Sequence, residues 1–268
     1  MKSIYKNLKN FSSPIYVIYH YDKEHSRSYK LLKKKWKSKK IIFIRRKKLT
    51  LFSSFKYFII NPLNFIWILR WPAIYNNFNN FKFILENILK NKIKSDYVTM
   101  VPDDQIFFSK TIIPKKVFSL LNSSNKNFFY RFFSSKYFKG YNSLPKKLKI
   151  KNYVENKHKF FMWSCNDKNI KHQFLWKYRF TIEGTLYKKK TLLNLIKNYV
   201  YHNPITLEAI GLWEARFRGF FSNGISSFYR TAAGYQINTV QDLVYHKNYN
   251  FSEKKLNQLF LKNYSLVI

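Results

Sequence analysis

The chain has 268 residues, of which 46% are hydrophobic and 20% aromatic, enough apolar material to bury a sizeable core and to exclude an intrinsically disordered segment. Its 50 Lys and Arg against 13 Asp and Glu give a formal net charge of +37, which suits nucleic acid, an anionic membrane surface or an anionic substrate. The lysines run from Lys2 to Lys262, however, and a composition rich in Lys, Asn, Ile, Phe and Tyr is also what an AT-rich coding sequence gives, so charge alone selects no partner.

Met1 to Asn10 is polar and basic with no apolar run behind it, so no secretory signal is expected. Ile15 to Tyr19 is a compact β-branched and aromatic run and predicts a buried strand, Ser26 to Trp36 a helix, and Lys40 to Ile44 a second buried strand. The uncharged stretch Tyr57 to Leu69 is too short for a bilayer span of ~20 residues and reads as core material, leaving shallow membrane contact open. Phe78, Phe81, Leu85 and Ile88 give one apolar face to a helix over Asn76 to Lys92, which leads into a strand over Tyr97 to Val101. Pro114 fits the first turn of a helix over Lys115 to Leu121, Phe128 to Phe133 reads as a strand, and Ser134 to Asn156 reads as loop. Further helices are expected over Lys190 to Tyr201, over Pro204 to Arg218 behind an Asn203 cap, and over Glu253 to Lys262 behind Ser252. Strand and helix alternate through the first hundred residues. The expected fold is therefore α/β in one domain, with a mostly parallel central sheet flanked by helices and a ligand crevice at the carboxyl ends of its strands.

Asp103 and Asp104 stand side by side directly after the apolar strand. In so basic a chain, adjacent carboxylates at a strand end suit a hard cation, Mg²⁺ or Mn²⁺, that grips a phosphate; the bland alternative is a turn or helix cap. Asn203-Pro204-Ile205-Thr206-Leu207-Glu208 is a good helix start in its own right. The aromatics from Phe160 to Tyr187 either fill the core or, through Trp163, Trp176 and Tyr178, form a platform for a nucleobase or sugar ring. The lone Cys165 excludes an internal disulfide and a cysteine-based zinc cluster and fits a reducing compartment. The histidines lack metal-ligand spacing, and neither a Gly-Lys-Ser/Thr loop nor a Gly-x-Gly-x-x-Gly fingerprint is present.

The order of these pieces resembles bacterial glycosyltransferase-like proteins of the GT-A, nucleotide-diphosphosugar transferase type. The matching elements are Ile15 to Tyr19, Asp103 to Phe107, Phe128 to Phe133, Trp163, Tyr178 through Gly184 to Lys189, Asn203 to Glu208, and Asn238-Thr239-Val240-Gln241. The resemblance implies a single GT-A-like (Rossmann-like) domain, with residues 1–108 as a nucleotide-binding half ending in the Asp-Asp motif and 109–268 as the acceptor-side half. It implies transfer of a sugar from a nucleotide-diphosphosugar donor to the hydroxyl of a glycan or glycolipid acceptor, in the cytoplasm or at the inner face of an anionic membrane. By the same resemblance, Asp103 and Asp104 hold Mn²⁺ or Mg²⁺ against the donor diphosphate, Trp163 and Tyr178 contact the donor, and Glu208, with Glu183 as second candidate, orients the acceptor or serves as general base. The competing expectations are a basic nucleic-acid-binding protein, which leaves the adjacent acids without a role, and a non-catalytic binding module of the same fold.

Overall fold

A computed structural model describes residues 2–9, 14–21, 23–37, 40–49, 79–102, 105–123, 127–137, 143–170, 174–234, 257–259 and 261–262. The apolar stretch Tyr57 to Leu69, the Asp pair, the Asn238 to Gln241 motif and the residues that open the expected C-terminal helix all lie outside this set.

The sheet that organises the molecule has six strands in the order β3 (Tyr97–Met100), β8 (Thr185–Lys188), β5 (Phe128–Arg131), β9 (Asn223–Ser227), β7 (His158–Ser164) and β6 (Ile150–Glu155). Only β5 and β9 pair in parallel; every other neighbouring pair is antiparallel. The expected mostly parallel central sheet is therefore incorrect. The strand–helix–strand order of the N-terminal region does produce a parallel pair, β1 (Ile15–Tyr19) with β2 (Ile41–Arg45) joined through helix α2 (Ser26–Trp36), but this pair is a separate two-stranded sheet. The main sheet is instead assembled from later strands. One source of its antiparallel character is the β6–β7 hairpin, closed by Asn156 and Lys157 at φ 46° and 68°, the positive values that a tight two-residue turn between twisted strands requires.

Side chains alternate across this sheet and divide two cores. Phe129 of β5 and Phe161 and Trp163 of β7 face one side, where α3 (Phe81–Asn87, continued by a π-helical turn Ile88–Lys92), α6 (Lys189–Ile196) and α7 (Pro204–Phe217) contribute Leu85, Leu89, Leu195, Leu207 and Ile210. Tyr130, Phe132 and Phe160 face the other side, with Val117 and Leu121 of α4 (Lys115–Asn122) and Leu8, just past α1 (Lys2–Asn7). A one-turn helix, α5 (Phe174–Lys177), places Trp176 in the first core, and β4 (Gln105–Phe107) pairs antiparallel with β10 (Ala232–Gly234) in a second two-stranded sheet. Each large apolar side chain fully withdrawn from water contributes roughly 1.5–3 kcal/mol, so the buried aromatic rings supply a large share of the stabilisation. Pro114 stands one position outside α4 as its N-cap rather than in its first turn. Among the described residues no helix is long and apolar enough to cross a membrane.

One polar contact inside the helical layer is expected to matter for stability. Glu214 of α7 is fully buried; its carboxylate accepts a hydrogen bond from Arg218 at 2.9 Å and another from the Tyr199 hydroxyl. Glu214→Ala leaves that hydroxyl without its acceptor and opens a cavity, while half-exposed Arg218 can turn to water. The expected loss is about 2–4 kcal/mol in a urea unfolding curve, with Glu214→Gln costing less.

Candidate active site at the sheet rim

Three strands that are not neighbours in sequence, β3, β5 and β9, run in one direction and stop at one edge of the sheet, with β8 running back between the first two. Met100, Thr185, Arg131 and Ser226 form one row across it. The residues just beyond that row build the rim: Val101 and Pro102, Glu183 and Gly184, and the chain leaving Arg131.

The loop Tyr178 to Gly184 that enters β8 is pinned by buried side chains. The Arg131 guanidinium, fully buried above the Phe129 ring, donates to the Tyr178 carbonyl at 2.7 Å. The Tyr187 hydroxyl accepts from the Thr181 N–H and donates to the Thr181 carbonyl, both at 2.8 Å. The Glu183 N–H donates to the Thr181 hydroxyl at 3.1 Å, and the Thr185 hydroxyl donates to the Glu183 carbonyl at 3.0 Å. Gly184 closes the loop at φ +45°, packed so tightly that a Cβ would fall 1.8 Å from the Phe133 ring. These contacts leave the loop few alternative shapes, and a site built on it inherits that rigidity.

Glu208 meets this loop from α7. Asn203 caps the helix, its side chain accepting from the Thr206 N–H at 2.8 Å, and Pro204 fills the first turn, so the sequence fixes where the helix begins and hence which way Glu208 points. Its half-buried carboxyl is hydrogen-bonded by the Thr181 side chain and the Ile182 backbone. Burial pushes it up to about 7, reinforced by the Glu183 charge and opposed by those hydrogen bonds and by Arg131. Tyr178, also half-buried, is raised by burial and then by Glu208, while Arg216 acts in the opposite sense. Burial lowers the Arg131 guanidinium, with Glu183 and Glu208 among the groups that support its charge.

Glu208, Glu183 and Tyr178 thus share one site. Trp163 does not join it. Its ring is buried in the first core, edge-on to Trp176 at 4.9 Å, and its N–H donates to the Trp176 carbonyl at 2.9 Å. Asp103 and Asp104 lie outside the described residues; Val101 and Pro102, which lead to them, leave β3 at this same rim. Among the described residues no group of three or more His, Cys, Asp or Glu could hold a metal ion. Sequence reasoning missed Arg131 and Thr181. A charge inside the aromatic run Phe128 to Phe133 was a usable signal for Arg131; nothing in the sequence singled out Thr181.

No family model, curated protein or solved structure matches this chain. The rim therefore has to be read from its own chemistry. A carboxyl group that ionises near neutrality, beside a second carboxylate and a phenol and backed by a buried guanidinium, can take a proton from a hydroxyl at physiological pH.

The residue before the Asn203 cap responds to pH in the opposite sense. Burial, and then Arg46, lower the His202 imidazole from 6.5 to about 4. The unfolded chain binds more protons than the folded one between those values, so stability rises with pH from about 4 to 6.5 and is lost as pH falls. His202→Gln is expected to flatten the melting temperature over that window in a series of thermal scans.

Proposed function

We propose that this protein is a glycosyltransferase that moves a sugar from a nucleotide-diphosphosugar to the hydroxyl of a glycan or glycolipid acceptor, with Glu208 as the proton acceptor. The observation that carries the reading is the meeting of Glu208, held against Thr181 and Ile182, with Glu183 and Tyr178 at one rim, where burial raises the Glu208 carboxyl. Deprotonated Glu208 takes the proton of the acceptor O–H as that oxygen bonds to the anomeric carbon, and the bond from that carbon to the diphosphate oxygen breaks, the electron pair leaving with the diphosphate. Glu183 keeps the Glu208 carboxyl poised by its charge, Arg131 and the strapped loop hold the site in place, and Tyr178 lies close enough to orient a bound ring.

Asp103 and Asp104 offer paired hard oxygen donors of the kind Mg²⁺ or Mn²⁺ takes, and they follow the strand that ends at the rim. They are the residues that would hold such an ion, which when bound neutralises charge on the leaving diphosphate. Titration calorimetry with Mn²⁺ and a panel of uridine and guanosine diphosphosugars tests the assignment. The expected result is binding of at least one donor that needs Mn²⁺ and is weakened about tenfold or more in Asp104→Ala, the loss expected when a charged ligand group is removed. No binding to any donor, with wild type and Asp104→Ala alike, overturns it.

A further inference from the structure

We propose that the C-terminal half of α7 docks on an anionic lipid surface, with Trp213 and Phe217 entering the interface and neighbouring arginines meeting the headgroups. The inference stands on its own surface chemistry, and if the transferase reading also holds it would bring the Glu208 rim to a glycolipid acceptor.

Trp213 and Phe217 lie one turn apart on α7 and stack flat on each other, with ring centres 5.3 Å apart and planes 5° apart. Phe217 is 77% exposed and Trp213 38%. Leaving a phenylalanine that open to water is unfavourable, and Phe217 is the last residue of the helix. Among the described residues, arginines cluster near the tip. Arg216 and Arg218 are exposed, and half-buried Arg179 donates to the Ala215 carbonyl at 3.1 Å. Of the acidic residues of α7, buried Glu214 pairs with Arg218 and Glu208 faces the rim loop, which leaves Arg216 with Arg179 to meet headgroups. Asp167, in the loop whose Asn166 is bonded by Arg179, is engaged by the backbone N–H groups of Lys149 and Asn169. A chain of formal net charge +37 adds a long-range attraction to any anionic membrane.

This combination suits the headgroup boundary of a bilayer. Tryptophan prefers that zone, an adjacent phenylalanine reaches the acyl boundary, and arginines hold phosphate at the same depth. A single-stranded nucleic acid calls instead for a basic groove with aromatic rings spaced so that successive bases stack between them. Here the two rings are stacked on each other, which leaves no gap between them for a base.

The test uses the whole chain in sedimentation with large unilamellar vesicles, one set of phosphatidylcholine and one of phosphatidylcholine with phosphatidylglycerol at roughly 7:3, an anionic content that makes surface charge decisive. Wild type is expected to bind the anionic vesicles, with affinity falling as salt is raised. Trp213→Ser with Phe217→Ser is expected to weaken that binding about tenfold or more, because apolar insertion and charge act together. Phe217→Trp, a conservative change, places a reporter at the tip, and its emission is expected to be quenched by lipids brominated on the acyl chains. Equal binding by wild type and the doubly substituted chain, or an unquenched tip tryptophan on bound vesicles, overturns the proposal. So does a double substitution that abolishes binding of a single-stranded oligonucleotide, or self-association seen by light scattering, while leaving vesicle binding intact.

Discussion

Glu208→Gln is expected to lower the rate of sugar transfer by about 10²–10⁴-fold while leaving donor affinity within a few-fold of wild type, the range that separates a general base from a binding residue. Glutamine keeps the length of the side chain and can still accept a hydrogen bond from the Thr181 hydroxyl, but it cannot take a proton. The same substitution is expected to stabilise the fold at pH 8. The folded carboxyl ionises near 7 against an ordinary value of 4.5, so the folded chain binds more protons than the unfolded one between those values and stability falls as pH rises through that window. At pH 8 the penalty of the ionised form is fully present, and removing it should add roughly 1–3 kcal/mol, a figure set below the full shift because the side chain keeps contact with water. At pH 4 the two proteins should melt together. In wild type the rate should rise as pH passes through about 7, and Glu183→Gln should move that rise to lower pH by removing the neighbouring charge. Rate profiles and thermal scans on the same preparations check these expectations together, and a stability gain without a rate loss would mark Glu208 as a strained structural residue.

Gly184→Ala is expected to be the most damaging of the single-methyl changes at the rim, destabilising the protein by about 2–4 kcal/mol in urea unfolding. Two independent effects add. The backbone at Gly184 has φ +45°, where a side chain is strained, and a Cβ would sit 1.8 Å and 2.4 Å from two atoms of the Phe133 ring. Phe133 packs against the second core, so relief has to come from the backbone of the loop, and that displaces Glu183 and the Thr181 contact with Glu208. Gly219 supplies the control. It too has a positive φ, at +69°, but a Cβ there meets nothing within 4 Å. Gly219→Ala should therefore cost about 1 kcal/mol or less and leave the rim unchanged, isolating strain from overlap.

Elements with strong local signatures are legible in the sequence. Ile15 to Tyr19, Ser26 to Trp36 and the apolar face of Phe81 to Ile88 all correspond to observed strands or helices, and Asn203 with Pro204 marked the start of α7 to the residue. What was not legible is long-range pairing. β8 inserts between β3 and β5, and β9 between β5 and β7, so neighbours in the sheet are far apart in sequence and alternation along the chain gave the wrong sheet type. The β6–β7 hairpin is hard to read because its turn is Asn156-Lys157, without the glycine that usually announces such a turn, and because β6 presents Lys151 and Asn152 to solvent like a loop. β9 reads Asn-Gly-Ile-Ser-Ser, a poor strand by composition. Its Gly224 leaves space that the Trp163 ring fills: a Cβ there would lie 2.1 Å from it. The same contact explains why Trp163 belongs to the core. At the site, Glu208 and Glu183 are named by the resemblance, whereas Thr181 owes its part to a loop shape that Tyr187, in the strand the loop enters, and Arg131, from distant β5, impose.

The most direct test is a ¹³C NMR titration of the glutamate side-chain carboxyls in the whole protein, with Glu208→Gln identifying the resonance. An apparent ionisation near 7 for Glu208, moving down in Glu183→Gln, is the expected result. Titration of Glu208 near 4.5, unaffected by Glu183, would contradict the account, because a carboxyl with an ordinary ionisation has no special aptitude to take the acceptor proton.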